Sequence, residues 1–324
     1  MLRVLIATAK QVSSSTIGPL AARKGISVKR LGYRYQRTVA GPAHVHGVGY
    51  LTGATVNLCF RPAPPSTGIV FVRTDQRGRP EIPACVEQVT GTQRRTTLGD
   101  PPEQVGLVEH VLAAVAGLRI DNCIIEIDAP EPPGLDGSAR GFVRALQKVG
   151  VVMQAPRRAV WTVDESVLVG HDGATLALHP IPVDELRISY FLDYGLHSPI
   201  DRQHHTERVT PQTFSQELAD CRTFVLESEA AELRRQGLGS RTSEADLLVF
   251  GTHGPIRNVL RYANEPARHK ILDLVGDLAL FGHDLRGHVV AYRSGHPLNV
   301  ELVRELTRQL ACASTTTRAV RCAA

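Results

Sequence analysis

The sequence predicts an α+β protein built as two similar halves, and three observations predict it. Short runs rich in Val, Ile, Phe and Tyr, set apart by Gly and Pro, come in blocks followed by segments of helical periodicity. That strands-then-helices order occurs once before about residue 155 and again after it, without any repeat of sequence. With 324 residues and 43% hydrophobic content, the chain is also long enough for about two domains with real cores. The polar run Gln154-Ala-Pro-Arg-Arg marks the expected junction, giving domains at 34–155 and 156–312. The active site is expected between them.

The first 38 residues hold eight Lys or Arg and no acid, with Ser13-Ser14-Ser15-Thr16 in the middle. This composition suits a transit peptide, an upstream start codon or a basic arm, so 1–33 is expected to lie outside the fold as a disordered extension. Strands are then expected at Arg37-Thr-Val-Ala, Ala54-Thr-Val-Asn-Leu-Cys-Phe and Gly68-Ile-Val-Phe-Val-Arg, with a Gly-rich hairpin at 44–53 between the first two. From Gly106 to Gly117 the apolar positions 107, 108, 111, 112, 115 and 118 cover most of a helix. Glu109 and His110 at the start of that buried helix are costly unless paired, protonated or metal-bound. The strand Asp121-Asn-Cys-Ile-Ile-Glu-Ile-Asp, the loop Ala129-Pro-Glu-Pro-Pro-Gly-Leu-Asp-Gly-Ser and a helix to about Lys148 close the first half.

In the second half, strands are expected at Ala159–Val163, Ala174–Leu178 and Leu186–Tyr194, and a helix at Pro211–Leu218. An irregular block at 225–257 carries a helix near Glu227–Gln236 and a strand at Asp246–Gly251. Pro266 suits the first turn of a helix from about 265 to 282, where Ile271, Leu274, Val275 and Leu278 form an apolar stripe. The strand Val289-Val-Ala-Tyr-Arg, the turn Ser294-Gly-His-Pro-Leu-Asn, a helix near 298–311 and a polar tail at 313–324 follow.

The chemistry concentrates on the helix at 265. His269, Asp273 and Asp277 recur every four residues, stacking an imidazole and two carboxylates on one side. A His and a carboxylate one turn apart suit a divalent ion, though the same residues suit a surface pair beside Lys270. Of thirteen histidines, His110 on a buried helix, His269 here and His296 in a Gly-flanked turn stand apart. His110, His269 and Asp273 together would give three protein ligands with an open fourth position, the arrangement of catalytic zinc, and Glu109 is a candidate base.

Composition narrows the partners. The net charge is +5 and the pI about 9.0, but the basic residues are spread along the chain and only 5% of residues are aromatic. A small anionic substrate fits that pattern and nucleic acid is not expected. The six cysteines form no CxxC pair, which suits a reducing cytoplasm. No run of about 18 apolar residues is present, so no transmembrane segment is expected.

Val108-Glu-His, Ala129-Pro-Glu-Pro-Pro-Gly-Leu-Asp-Gly-Ser-Ala, Cys221-Arg-Thr-Phe, Arg268-His-Lys-Ile-Leu-Asp-Leu-Val-Gly-Asp and Ser294-Gly-His-Pro-Leu-Asn occur in this order between about Gln36 and Leu310. Together they resemble the signatures of the UDP-3-O-acyl-N-acetylglucosamine deacetylases, zinc amidases of lipid A synthesis. The resemblance implies one Zn²⁺, or Fe²⁺ in its place, held by His110, His269 and Asp273. It further implies Glu109 as general base, His296 as general acid kept charged by Asp277, and Thr223 at the tetrahedral oxyanion. By the same resemblance Phe224 would lie in the pocket, Lys270 and Arg293 would meet the diphosphate, and Asp193 with Tyr194 would hold the uracil of a UDP-linked acylated amino sugar. The implied fold is two βααβ domains, their helix layers facing each other between outer sheets, with inserts at about 70–97 and 225–257. Leu247, Leu248 and Val249 would line an acyl-chain tunnel, and the enzyme would be a cytoplasmic monomer.

The chain departs from the family at Gly49-Tyr-Leu-Thr-Gly, where a histidine is usual at Leu51, at Ser243-Glu-Ala-Asp-Leu, and at Tyr194, where phenylalanine is usual. Two other readings fit the residues: a zinc hydrolase of another N-acyl sugar, and a non-catalytic, metal-stabilised module that binds polyanions through the basic arm.

Overall fold

The computed structural model describes residues 27–322. Its first half runs β1 (Val28–Val39), β2 (Ala43–Val48), β3 (Thr55–Pro62), β4 (Ile69–Arg73) and β5 (Glu81–Pro83). A small unit with β6 (Val89–Gly91) and β7 (Thr97–Leu98) follows, and then α1 (Glu109–Gly117), β8 (Cys123–Ile127) and α2 (Arg140–Val149). The second half repeats this order with β9 (Val151–Val163), β10 (Val167–His171), β11 (Ala174–His179), β12 (Leu186–Leu192) and β13 (Gln203–Arg208). Next come α3 (Pro211–Thr213), running on into a π turn, and a larger unit of β14 (Phe224–Leu226), α4 (Glu227–Arg235), β15 (Leu248–Gly251) and β16 (Gly254–Pro255). The chain closes with α5 (Glu265–Leu278), β17 (Asp284–Leu285), β18 (Gly287–Tyr292) and α6 (His296–Cys322).

The two halves share one topology. Their five-stranded sheets are ordered β2-β3-β8-β4-β5 and β10-β11-β18-β12-β13. In each, only the pairing of the third strand with the fourth (β8 with β4, β18 with β12) is parallel. A third sheet, β1-β9-β17, joins the halves, with β1 and β9 antiparallel from Val28↔Val163 to Val39↔Val151.

Four expected boundaries need correction. Residues 1–26 of the expected 1–33 extension lie outside the described residues, but Val28–Tyr33 belong to β1 because they pair with β9. The junction expected after 155 falls inside β9, whose pairing with β1 continues on both sides of it. Of the insert expected at 70–97, β4 and β5 belong to the main sheet, since β4 pairs with β8 in its interior, and only the unit around β6 and β7 stands apart. The polar tail expected from 313 continues α6 to Cys322.

Helices α1 and α5 cross at the centre, with α2 beside α1 and α6 beside α5. Helix α1 is nearly all apolar, and Val111, Leu112, Ala113 and Ala114 are completely buried. Helix α5 buries every residue except Arg268 and Lys270. Gly276 permits their close approach, because a Cβ there would lie 2.1 Å from the Glu109 carbonyl oxygen. A side chain at that point would push His110 away from α5.

Candidate metal and active site

The crossing brings together, from both halves, three side chains that could hold a metal ion. Asp273 Oδ1 lies 3.1 Å from His269 Nε2 and 3.5 Å from His110 Nε2. Ligand atoms of the three residues lie within 4.8 Å of one another, and the two imidazoles meet edge to face at 5.0 Å. His269 and Asp273 are buried, which removes the reading as a surface pair. His269 Nδ1 sits 3.0 Å from the Cys221 carbonyl oxygen. A carbonyl only accepts, so Nδ1 carries the proton and Nε2 presents a lone pair to the cluster. Burial lowers the His269 pKa despite the neighbouring Asp273, favouring the neutral, ligating form. Burial would raise the Asp273 pKa, but His269 and Lys270 outweigh it and hold the carboxyl well below its usual range. Two imidazole nitrogens and one carboxylate oxygen, converging from two helices, fit a divalent ion of the zinc type.

Beside this cluster stands an acid–base group. Glu109, buried at the start of α1, accepts the Thr96 N–H at 3.0 Å and faces His296 Nε2 at 3.9 Å. His296 opens α6, rather than sitting in the turn expected from sequence, and its Nδ1 lies 2.8 Å from Asp277 Oδ2. Asp277 is completely buried and also accepts from Asn299 Nδ2 at 2.8 Å and Thr96 Oγ1 at 2.7 Å. Burial alone would lower the His296 pKa, but Asp277 and Glu109 together lift it to about 9. For Glu109, burial raises the pKa, and the nearby imidazoles, His296 first, only partly offset it. At neutral pH the imidazole therefore holds a proton within reach of the buried carboxyl.

A cavity of about 600 Å³ opens onto these residues, a size within the usual range for small-molecule sites. Of the twelve residues expected in the site, ten line it, while His269 and Asp277 stand behind its wall and hold residues that do. Thr223 is fixed by its own N–H, which donates to the Gly137 carbonyl at 2.7 Å. Lys270 Nζ pairs with Asp273 Oδ2 at 3.0 Å and lies 5.5 Å from the Phe224 ring centre, and Phe224 meets Tyr194 edge to face at 5.9 Å. Arg293 is exposed at the rim with a left-handed φ of 55°. Asp193 is engaged by Tyr292 Oη at 3.0 Å and Arg202 Nε at 3.1 Å.

The apolar part of the cavity is walled by Leu233, Leu238, Leu247 and Val249 from the second insert. Leu248, expected beside them, is completely buried because alternate residues of β15 face opposite ways. The 49–53 loop meets this insert: Tyr50 Oη donates to the Asp246 carbonyl at 2.6 Å, and Thr242 Oγ1 to the Tyr50 carbonyl at 3.0 Å. Buried Glu131 anchors the loop by accepting from the Leu51 and Thr52 amides and the Thr52 hydroxyl.

Sequence reasoning missed Thr96 and gave no role to Asn299 or Glu131. Thr96 lies in the polar run Arg94-Arg95-Thr96-Thr97, where no periodicity marks it, yet it bonds both Glu109 and Asp277. Asn299 lies three residues after His296 in the run Ser294-Gly-His-Pro-Leu-Asn, close enough to suggest a shared task.

A twice-repeated α+β fold, with a His–His–Asp cluster and a Glu–His–Asp group on one cavity, is the equipment of a metal-dependent hydrolase. The family model for UDP-3-O-acyl N-acetylglycosamine deacetylase matches residues 36–308, and the chain belongs to that family. It is 43% identical over 275 residues to the UDP-3-O-acyl-N-acetylglucosamine deacetylase of Thermosynechococcus vestitus, covering 85% of this chain and 94% of that one. The enzyme of the same name from Nostoc sp. is 40% identical over 276 residues, 84% of this chain and 98% of that one. A bifunctional LpxC/FabZ enzyme of Chlorobaculum tepidum is 36% identical over 301 residues, and the match covers 85% of this chain but 64% of that protein.

Proposed function

We propose that this chain hydrolyses the N-acetyl group of UDP-3-O-(3-hydroxyacyl)-N-acetylglucosamine, releasing acetate and the free amine in lipid A biosynthesis. The observation that carries this reading is the placement of Glu109 and His296 at 3.9 Å from each other on one wall of the cavity that Asp273 and His110 also line. His110, His269 and Asp273 would hold the metal, read as Zn²⁺ with Fe²⁺ as the alternative. A divalent ion there supplies a Lewis acid that makes water nucleophilic near neutral pH. Glu109 takes the proton from the attacking water. Thr223 Oγ1 donates to the oxyanion of the tetrahedral centre. His296 then passes its Nε2 proton to the departing amine, and Asp277 keeps it charged for that step.

Around that centre, the apolar wall of the second insert takes the acyl chain and Lys270 and Arg293 take the diphosphate, while Asp193 and Tyr194 hold the uracil and Phe224 packs beside them. Both halves of the site come from one chain, so a monomer is sufficient. Among the described residues, the free Cys59, Cys85, Cys123 and Cys221 suit a reducing cytoplasm. Among the described residues no helix is long and apolar enough to cross a membrane.

The test is acetate release by purified protein, stripped of metal and reloaded with Zn²⁺ or Fe²⁺. The UDP-linked acylated sugar should be turned over with metal and not without it. Comparable kcat/KM on N-acetylglucosamine lacking nucleotide and acyl chain would instead favour a hydrolase of another N-acyl sugar. The departures at Leu51 and Ser243–Leu247, both on or beside the cavity, are what keep that second reading in view.

A further inference from the structure

Glu265, the first residue of α5, is completely buried and has no expected role in the chemistry. Its Oε1 accepts the Arg222 backbone N–H at 3.0 Å and Arg222 Nε at 2.8 Å. Its Oε2 accepts Arg222 Nη2 at 3.0 Å and the Arg261 N–H at 2.6 Å. The Arg222 N–H and the Cys221 carbonyl are two ends of one planar, trans peptide group. That carbonyl receives the His269 Nδ1 proton at 3.0 Å. Glu265 and His269 are four residues apart on α5, one turn apart on the same side. A single rigid peptide is thus gripped at both ends by two side chains of one helix.

We infer that Glu265 is a positioning residue for the metal centre, acting on His269 through the Cys221–Arg222 peptide group. Because the peptide is rigid, fixing its N–H fixes the direction of its carbonyl, and so the tautomer and ring plane of His269. A carboxylate on the N–H also polarises the amide, making the carbonyl a stronger acceptor and Nε2 a stronger donor to metal. The Arg222 guanidinium neutralises the buried carboxylate and is itself tied down, Nη1 to Asn258 Oδ1 at 2.8 Å and Nη2 to the Val259 carbonyl at 2.7 Å. A buried ion pair of this kind adds little stability over apolar residues of similar volume, so an outward task accounts for it better than stability does. The inference rests on the reading of His269 as a metal ligand.

The experiment measures zinc dissociation constants by chelator competition, without recourse to activity, for wild type, Glu265→Gln and Arg222→Lys. Partners of metal-bound histidines are worth roughly 10- to 100-fold in metal affinity, and with a peptide interposed the loss in Glu265→Gln should lie near about 10-fold. Arg222→Lys keeps the backbone N–H and the counter-charge, so it should lower the melting temperature while leaving zinc affinity within about twofold. In metal-free ¹⁵N-histidine-labelled protein, the His269 Nδ1–H resonance should move upfield in Glu265→Gln. In the wild type, which needs no variant to fold, the Arg222 amide resonance should shift when zinc is added. Zinc affinity unchanged in a folded Glu265→Gln, or an Arg222 amide that does not respond to zinc, would overturn the inference. A wild type that binds no zinc would instead remove the metal reading itself.

Discussion

Asp277→Asn isolates the pairing that sets the proton on His296. In the native site Asp277 Oδ2 lies 2.8 Å from His296 Nδ1 and, with Glu109, holds the imidazole pKa at about 9 against the lowering effect of burial. The folded value exceeds the ordinary value of about 6.5, so this pairing contributes stability fully present below pH 6.5 and lost as pH rises through about 9. The shift corresponds to about 3 kcal/mol. Asparagine keeps the shape but removes the charge, leaving burial and the more distant Glu109 to oppose each other, and the pKa should fall toward about 6.5. At pH 7.5 the protonated fraction then drops from nearly all to about a tenth, so kcat/KM should fall about tenfold. Near pH 6 the two proteins should converge. The assay is kcat/KM from pH 5.5 to 9.5 for both proteins, with an NMR titration of His296. A loss of constant size across that range, or a His296 pKa still near 9 in the variant, would refute the reasoning.

Other outcomes follow from the same geometry. Asp273→Ala removes one of three proposed ligands and should abolish both turnover and stoichiometric zinc by metal analysis, whereas Asp277→Asn should retain the metal. Gly276→Ala places a methyl 2.1 Å from the Glu109 carbonyl and should cost about 1–3 kcal/mol in denaturant unfolding, with weakened zinc binding as α1 moves off α5. Arg293→Ala at the cavity rim should raise KM more than it lowers kcat, and the effect should shrink with added salt; an unchanged KM removes it from the diphosphate. Glu109→Gln should remove the low-pH limb of the kcat/KM profile, a limb that native burial places above the usual carboxylate range.

How much could be read in advance depended on whether a residue's task was local. The spacing of His269, Asp273 and Asp277 announced a one-sided polar face because helical periodicity converts sequence separation into spatial alignment. The long apolar run of α1 made Glu109 and His110 conspicuous for the same reason: charge on a buried helix demands a partner. Thr96 carries no such mark. Its neighbours are polar, and its bonds to Glu109 and Asp277 reach 13 and 181 residues along the chain, a pairing that only the finished fold creates. The boundary placed after Ala155 failed for a related reason. Pro156 and the arginines beside it resemble a linker, yet they lie where β9 pairs with β1 alone, outside its short pairing with β17, and a register shift between Tyr35 and Gln36 accommodates them within the strand.

The repeat explains why neither half carries a site alone. Helices α1 and α5 occupy equivalent places in the two halves, each after its five-strand-and-insert sequence, and the His–His–Asp cluster takes His110 from one and His269 with Asp273 from the other. Their far ends are held by an equally two-sided device. Arg34 of β1 and Arg158 of β9 face each other in register, and Asp121 and Asp284 follow α1 and α5. Arg34 bonds both carboxylates, with Nη1 and Nη2 on Asp121 at 2.7 and 2.6 Å and Nη2 on Asp284 at 2.7 Å, while Arg158 Nη1 reaches Asp121 at 2.7 Å. The two helices are therefore pinned to each other at one end by ion pairs and at the crossing by Gly276. What distinguishes the halves is the insert. The first is a two-stranded ribbon that delivers Thr96 to the acid–base group, and the second is large enough to wall the apolar end of the cavity. A twice-used scaffold thus supplies symmetric support, and unequal insertions at equivalent positions give the cavity between them a polar end and an apolar end.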